Sequence, residues 1–230
     1  MNSAIITNAI INPRLPFDVA KDFAPIALVN EVAVALVVPP NIGVGSVKDL
    51  IALAKAKPGE VLYASTGVGT APHLAGALFA MRAGLNLVHV PYTGSPQAVT
   101  DLLAGRVTMM FSPASTVVSQ AAAGKLKLLA SASTKRPSAL PDTPTMAEAG
   151  MPDFDTSIWF GLVAPAGTPR PVVDKLAGAV RAASKSDDVV KAWHAQVIDP
   201  LDGGPDQLAA HMSSEIKRWS EVASAAGLKK

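Results

Sequence analysis

The sequence contains no cysteine. Thiolate zinc sites, iron–sulfur clusters, cysteine nucleophiles and disulfides are therefore excluded, while the redox compartment is left open. Aromatic residues make up 5% of 230 residues, too few to supply stacking platforms for nucleobases. Charge is also sparse, at 17% of residues, and 20 Lys plus Arg against 18 Asp plus Glu leave a formal net charge of only +2. That balance is too small and too dispersed for a nucleic-acid footprint, so no nucleic-acid partner is expected. Long hydrophobic runs are missing: the longest, Val32 to Pro40, is about half of the ~20 residues a membrane span needs, and two prolines close it. No direct membrane insertion is expected. Met1-Asn2-Ser3-Ala4 leads into Ile5 and Ile6 with no Lys or Arg ahead of them, and Asn8 and Asn12 interrupt the next apolar stretch, so no secretory signal is legible.

The residues present are largely apolar: 49% are hydrophobic, which places the chain among globular proteins. The length allows one large α/β domain or two small ones, each able to bury a core without covalent staples. Short β-branched runs alternate with longer helical patterns, the sign of βα units on a mostly parallel sheet. Strands are expected at 26–38, 61–64, 87–90, 107–111, 126–133 and 157–164, each rich in Val, Ile and Leu. A helix opens after Ser46 as N-cap, runs over Val47 to Ala54 and is stopped by Pro58-Gly59. Further helices are expected over His73 to Met81, Pro96 to Leu103 with Gly105 as the stop, Val172 to Ser184, and Pro205 to Ala226. The last of these carries Leu208, Met212, Ile216, Trp219 and Val222 along one side.

Two segments read as crossings between lobes. The extended stretch from Pro25 to Pro39 is long enough at ~3.3 Å per residue to leave one lobe and enter another. Ser157 to Ala164 is a strand that ends at the stiff turn Pro165, Gly167, Pro169. The expected organisation is a discontinuous first lobe, residues 1–30 with 158–230, and a second lobe of residues 31–157.

The sharpest local feature is Val61-Leu62-Tyr63-Ala64-Ser65-Thr66-Gly67-Val68-Gly69-Thr70-Ala71-Pro72-His73-Leu74: a strand, a loop of small hydroxyl-bearing residues, then a helix. A helix start offers up to about four unpaired N–H groups and a partial positive charge of ~0.5, so such a loop can hold a carboxylate or phosphate without a basic side chain. Gly67 and Gly69 permit close backbone approach, and Ser65, Thr66 and Thr70 add hydroxyls. The same residues also suit an ordinary βα turn. A second instance comes with Val90-Pro91, leading through Tyr92-Thr93-Gly94-Ser95 into Pro96 at the next helix start. Ligands in open α/β sheets bind at the carboxyl ends of strands, so both loops are expected on one rim, joined by Ser112 or Ser115 after a third strand. Tyr92 either closes over a ligand or anchors its helix.

Enzyme signatures are weaker. There is no Gly-x-x-x-x-Gly-Lys-Ser/Thr, and Gly67-Val68-Gly69 lacks the third glycine and the acidic residue of a dinucleotide site. The nucleophile elbow Gly-x-Ser-x-Gly is absent around Ser65. His73, His89, His194 and His211 show no metal-ligand spacing, so no metal and no cofactor are expected. His73 reads as a solvated histidine just inside the candidate anion-binding helix, and Trp193 and Trp219 as helix core.

Six ordered motifs carry a family resemblance: Leu15 to Ile26, Tyr63 to Leu74, Val90 to Gly94, Asp101 to Val107, Leu140 to Gly150 and Gly161 to Pro169. Together they resemble the Bug family, the extracytoplasmic solute receptors of tripartite tricarboxylate transporters, over nearly the whole chain. The resemblance implies a type II periplasmic-binding-protein-like α/β fold, two lobes with mixed sheets joined by crossing hinge strands. It also implies a periplasmic location and capture of a small carboxylate-bearing solute in an interlobe cleft, for delivery to membrane permease subunits. Carried over by motif, Ser65, Thr66, Gly67, Val68, Gly69 and Thr70 would bind one carboxylate, with His73 beside them and Tyr92, Thr93 and Gly94 lining the cleft. Asn2 and Ser3, at the end of a family strand, would contribute from the opposite lobe.

The sequence departs from the family in three places. Members begin with a signal peptide, a first strand, a Gly-rich loop and its helix, all upstream of the point matching Met1, so the first lobe is expected to be incomplete and the receptor N-terminally truncated. Asn8-Ala9-Ile10-Ile11-Asn12 stands where the family reads Asn-Pro-x-Leu-Tyr, and Ser112 replaces a common Asp. The expected function is solute binding coupled to lobe closure, not catalysis. Two alternatives are a small-molecule enzyme on the same fold, using His73 with a rim hydroxyl, and a ligand sensor feeding a signalling partner.

Overall fold

The computed structural model describes residues 1–12, 14–225 and 227. In chain order its elements are α1 (Ser3–Ile11), β1 (Phe23–Val32), β2 (Val34–Val38), α2 (Val47–Ala56), β3 (Leu62–Ser65), α3 (Ala71–Ala83), β4 (Val88–Pro91), α4 (Ser95–Leu103), β5 (Met109–Pro113) and α5 (Ala114–Ala122). They continue with β6 (Lys127–Ser131), β7 (Ile158–Pro165), α6 (Arg170–Ser184), α7 (Asp187–His194), β8 (Ile198–Gly203) and α8 (Pro205–Ala225). Ala226, the expected last residue of the final helix, lies outside the described residues. The chain divides into two compact units, Met1–Val32 with Ile158–Lys230, and Ala33–Ser157.

In the unit Ala33–Ser157 five strands are ordered β4-β3-β5-β2-β6. β3 is parallel to β4 and β5, while β2 is antiparallel to both β5 and β6. Four strands thus run one way and β2 alone runs against them, which corrects the expectation of a mostly parallel sheet at its centre. β2 enters this sheet straight from β1 of the other sheet, with only Ala33 between them, so it is not the product of a βα crossover within this sheet. The carboxyl ends of β3, β4, β5 and β6 and the start of β2 therefore share one edge of the sheet. β2 reads Val-Ala-Leu-Val-Val and is buried at every position, as a strand covered on both faces must be.

Helix boundaries in this unit have local causes. The Ser46 hydroxyl accepts the Asp49 amide at 3.1 Å, capping α2 as expected. α3 ends on Gly84 in the left-handed region, and Pro72 and Pro96 sit in the first turns of α3 and α4, where a missing N–H costs nothing. Leu74, Leu78 and Phe79 of α3 and Ala98, Val99 and Leu102 of α4 are buried, whereas Met81 and Leu103 are exposed. Phe79 meets Phe111 edge-on at 5.9 Å, and Phe111 stacks on Phe154 at 5.6 Å.

The other unit holds an antiparallel three-stranded sheet, β7-β1-β8. Trp159 packs with Ile6 of α1 and Leu208 and Met212 of α8, while α6 sets Val173 against Ile26 and Ala27 of β1. Within α8 the expected apolar side is realised, with Leu208, Met212, Trp219 and Val222 all buried. Trp193 is half-buried on α7 rather than core. Glu215 is also buried, and its Oε2 accepts the indole N–H groups of Trp159 and Trp219 at 3.0 and 2.9 Å while Arg218 pairs with Oε1.

Candidate functional site

The edge of the Ala33–Ser157 sheet that gathers the strand ends also gathers the two loops singled out by sequence. Between β3 and α3, Gly67 and Gly69 take φ of 124° and 80°, which L side chains rarely adopt. The hydrogen bonds of this turn point mostly inward. Gly67 donates its amide to Ser65 Oγ at 3.1 Å, and Thr70 Oγ1 donates to the Gly67 carbonyl at 2.7 Å. The Gly69 amide donates to His73 Nδ1 at 2.9 Å. Among the described residues, the amides of Thr66, Val68, Ala71 and His73 have no protein partner, and Pro72 has no N–H to offer.

The second loop lies beside the first. β3 and β4 pair Ser65 with Pro91, the Tyr92 amide donates to the Ser65 carbonyl at 2.9 Å, and a Cβ on Gly67 would stand 3.7 Å from the Tyr92 carbonyl oxygen. At the start of α4 the amides of Thr93, Gly94, Ser95 and Gln97 are likewise without a partner among the described residues. Neither loop contains Lys or Arg. The edge is therefore a pair of adjoining helix starts whose positive character comes from backbone dipoles.

Beneath the first loop three rings form a stack. Tyr63 and His89 are register partners on β3 and β4, with rings 4.9 Å apart, and His73 from α3 lies on His89 at 3.9 Å. Ser65 Oγ is 2.6 Å from His89 Nε2. Tyr63 also packs against Gly76, where a Cβ would come within 2.2 Å of the phenol ring. Burial, together with the neighbouring His89, lowers the His73 pKa to about 4, and burial lowers that of His89 as well. Burial pushes the Tyr63 phenol up to about 12. The stack is neutral at any pH where carboxylates are ionised and histidines normally lose their proton.

The expected site residues are distributed unevenly. Thr66, Gly67, Val68 and Gly69 form the open part of the first turn, with Val68 64% exposed. Ser65, expected to offer its hydroxyl to the ligand, is instead fully buried, and its oxygen is engaged by Gly67 and His89. Thr70 is similar, its hydroxyl spent on the Gly67 carbonyl. His73 is not solvated: it is 5% exposed and locked in the stack. Tyr92 is the anchor of its helix, since its hydroxyl donates to Asp101 at 2.8 Å and Arg106 holds the other carboxylate oxygen. Those two bonds hold the Asp101 carboxyl below its ordinary pKa, and burial and Asp101 push Tyr92 up to about 12. Thr93 is exposed and Gly94 half-buried at the second loop. Ser112 is fully buried in β5 opposite Ala35, so Ser115, exposed in the first turn of α5, is the hydroxyl that reaches solvent there.

Asn2 and Ser3 belong to the other unit. Asn2 makes a single bridge to Phe160, but the chain turns at once into α1, so only Asn2 retains strand character. Its side chain caps α1 by accepting the Ile5 amide at 3.2 Å, and Ser3 is buried with a hydroxyl that has no hydrogen-bond partner.

Residues 1–228 match the model of the family described as tripartite tricarboxylate transporter family receptor, TctC. The chain belongs to this family. It is 37% identical over 217 residues to the protein BugT of Bordetella pertussis, covering 94% of this chain and 67% of BugT. Among solved structures it resembles Rpa4515 of R. palustris with adipate, at 34% identity and a TM-score of 0.83, covering 99% of this chain and 76% of that one. It also resembles MatC of Rhodopseudomonas palustris with bound malate, at 28% identity and a TM-score of 0.78, covering 96% and 76%. The chain spans about two thirds of the length of the curated relatives it matches. These family members and structural neighbours are solute-binding receptors.

In this TctC-family chain, sequence reasoning passes over His89, noted only as lacking metal spacing. The available signal is position: His89 stands two residues before Pro91 on the strand beside Tyr63, which points both rings to one face. Among the described residues no group of three or more His, Asp or Glu is placed to hold a metal ion, and no helix is long and apolar enough to cross a membrane.

Proposed function

We propose that this protein is a receptor that binds a small carboxylate-bearing solute and presents it to membrane permease subunits of a tripartite transporter. The carrying observation is the pair of adjoining helix starts, α3 and α4, whose amides lack protein partners and whose loops lack cationic residues. Such a site holds a carboxylate through N–H groups and helix dipoles with no cationic side chain. Adipate and malate in two solved relatives make small dicarboxylates the first solutes to test. The amides of Thr66, Val68 and Ala71 grip one carboxylate, Gly67 and Gly69 shape the turn that presents them, and Thr93 and Gly94 lie beside it. Ser65, Thr70, His73 and Tyr92 act one layer back, by holding the turns in shape. The location is periplasmic, as for the family.

Catalysis is not part of this reading. Ser65, the hydroxyl nearest a histidine, is fully buried and accepts the Gly67 amide, so it presents no nucleophile to a solute. The test is a thermal-shift and calorimetry panel of adipate, malate, citrate and glutamate against the full chain. A ligand at ~100 times its Kd is expected to raise stability by about 2.7 kcal/mol. Absence of any shift across the panel, with the chain shown to be folded, overturns the proposal.

A further inference from the structure

The turn between β3 and α3 is rich in amides and hydroxyls that an anion could use, yet only some of them are open. Which remain open is decided by what the others are bonded to, and the Gly69 amide is taken by the ring of His73. An amide donates only to an unprotonated nitrogen, so Nδ1 is an acceptor and the ring proton sits on Nε2. The ring cannot rotate away from this bond without leaving its stack: it is 5% exposed and lies 3.9 Å from His89 with the planes 17° from parallel. His89 also packs against Tyr63, with ring centroids 4.9 Å apart, and meets Ser65 Oγ at its edge. Ser65 in turn receives the Gly67 amide. Two of the loop's glycine amides are thus bound to the histidine stack, one directly and one through a hydroxyl, and both glycines lie in the left-handed region.

We propose that His73 is a positioning residue for the anion-binding turn: by accepting the Gly69 amide it holds that glycine inward and leaves the amides of Thr66, Val68 and Ala71 directed to the solute. This rests on the solute-receptor reading of the same site. His73 touches no solute; it acts through Gly69. The groups facing it are His89 from β4 and Tyr63 from β3, and the third strand packed on α3, β5, brings no titratable side chain. The turn therefore stays set while His73 is neutral and is released when Nδ1 takes a proton, because the cation has no acceptor left for Gly69.

Two substitutions separate the acceptor from the stack. His73→Asn places Oδ1 where Nδ1 stands, and His73→Gln moves the polar atoms one bond outward to the position of Nε2. Both remove the ring, so both lose the stacking equally. Hydrogen exchange of the Gly69 amide by NMR and calorimetry with adipate and malate are measured on the full chain at neutral pH. The expected result is Gly69 exchange at least tenfold faster, and affinity about tenfold weaker, in His73→Gln than in His73→Asn, with similar melting temperatures. Equal Gly69 exchange in the two variants overturns the proposal. If the parent chain binds neither acid, the solute reading fails instead, and Gly69 exchange, which needs no ligand, still decides whether His73 sets the turn.

Discussion

The imidazoles of His73 and His89 lie face to face, with ring centroids 3.9 Å apart. Two histidines this close cannot both be charged cheaply, and His73, 5% exposed, cannot be hydrated without opening the stack. Folding therefore selects the neutral form of both, and this links the candidate binding turn to the stability of its unit.

The first prediction is a pH dependence. The His73 pKa falls from an ordinary 6.5 to about 4 on folding, chiefly through burial and secondarily through His89. Between those values the unfolded chain binds the proton and the folded chain does not, so stability rises with pH across that window. The contribution is complete above about pH 6.5 and is lost as pH falls toward about 4, with a maximum of roughly 3 kcal/mol. Urea denaturation of the parent and His73→Asn at pH 7 and pH 4.5 checks it. The gap between the two proteins is expected to narrow in acid, and a gap that widens would contradict the burial of a neutral ring.

A second prediction concerns Gly76, in the interior of α3. Alanine normally stabilises a helix interior by about 1 kcal/mol relative to glycine. Here a Cβ would come within 2.2 Å of the Tyr63 ring, which is 4% exposed and packs on His89 at 4.9 Å. The overpacking cost, typically about 1–3 kcal/mol by analogy with core insertions, is expected to dominate. Gly76→Ala should therefore lower the melting temperature and broaden the His73 and His89 ring resonances. A rise in melting temperature would show that Tyr63 can move and that the stack is not rigid.

Much of this architecture is legible in the residues alone, and the misses have identifiable causes. Ser46 with Pro58-Gly59 bounds α2 because capping and termination are local chemistry. The β3 loop announces itself for the same reason, since Gly67 and Gly69 report a backbone requirement. β8 does not: Ile198-Asp199-Pro200-Leu201-Asp202-Gly203 contains Pro, Gly and two acids, the marks of a turn, and is tolerated as a strand because it pairs only with β1 at the sheet's edge. α1 escapes notice because its apolar Ile residues give little amphipathic contrast, and its Asn2 cap reads as the end of a strand. The direction of the Ser65 and Thr70 hydroxyls is beyond the sequence altogether. Hydroxyl-rich loops suggest outward donors, but Gly67, at positive φ, turns both its carbonyl and its amide inward, and the nearest hydroxyls satisfy them. The His73 stack depends on the register that sets Tyr63 beside His89, which periodicity along one strand does not specify.

The third prediction tests the buried acid of the other unit. Glu215 Oε2 accepts two indole N–H groups, from Trp159 on β7 and Trp219 on its own helix, and Arg218 pairs with the second oxygen. Glu215→Leu leaves both indoles unsatisfied in the core and is expected to cost about 3–5 kcal/mol. Glu215→Gln keeps one carbonyl oxygen for the indoles and should cost distinctly less. Chemical denaturation followed by tryptophan fluorescence reports both the stability and the indole environment. Equal losses in the two variants would mean that the charge, and not the acceptor geometry, holds the network.

The last prediction isolates a single amide of the proposed site. Ala71 is the first residue of α3, and its N–H has no protein partner among the described residues. Proline is tolerated at this helix position because its fixed φ is already helical and the missing donor is one that the helix never used. The preceding residue, Thr70, has φ −75° and ψ 160°, the extended conformation that a following proline requires. Ala71→Pro therefore removes one hydrogen-bond donor and puts a methylene in its place, with the helix start left intact. If the turn grips a carboxylate through backbone amides, affinity for adipate or malate is expected to fall at least tenfold while the ligand-free melting temperature moves by only a few degrees. Unchanged affinity in Ala71→Pro would shift the binding surface away from the α3 helix start. A matched substitution on the exposed Val68 side chain, Val68→Ala, leaves every amide in place and should bind as the parent does, which separates loss of the donor from a general disturbance of the loop.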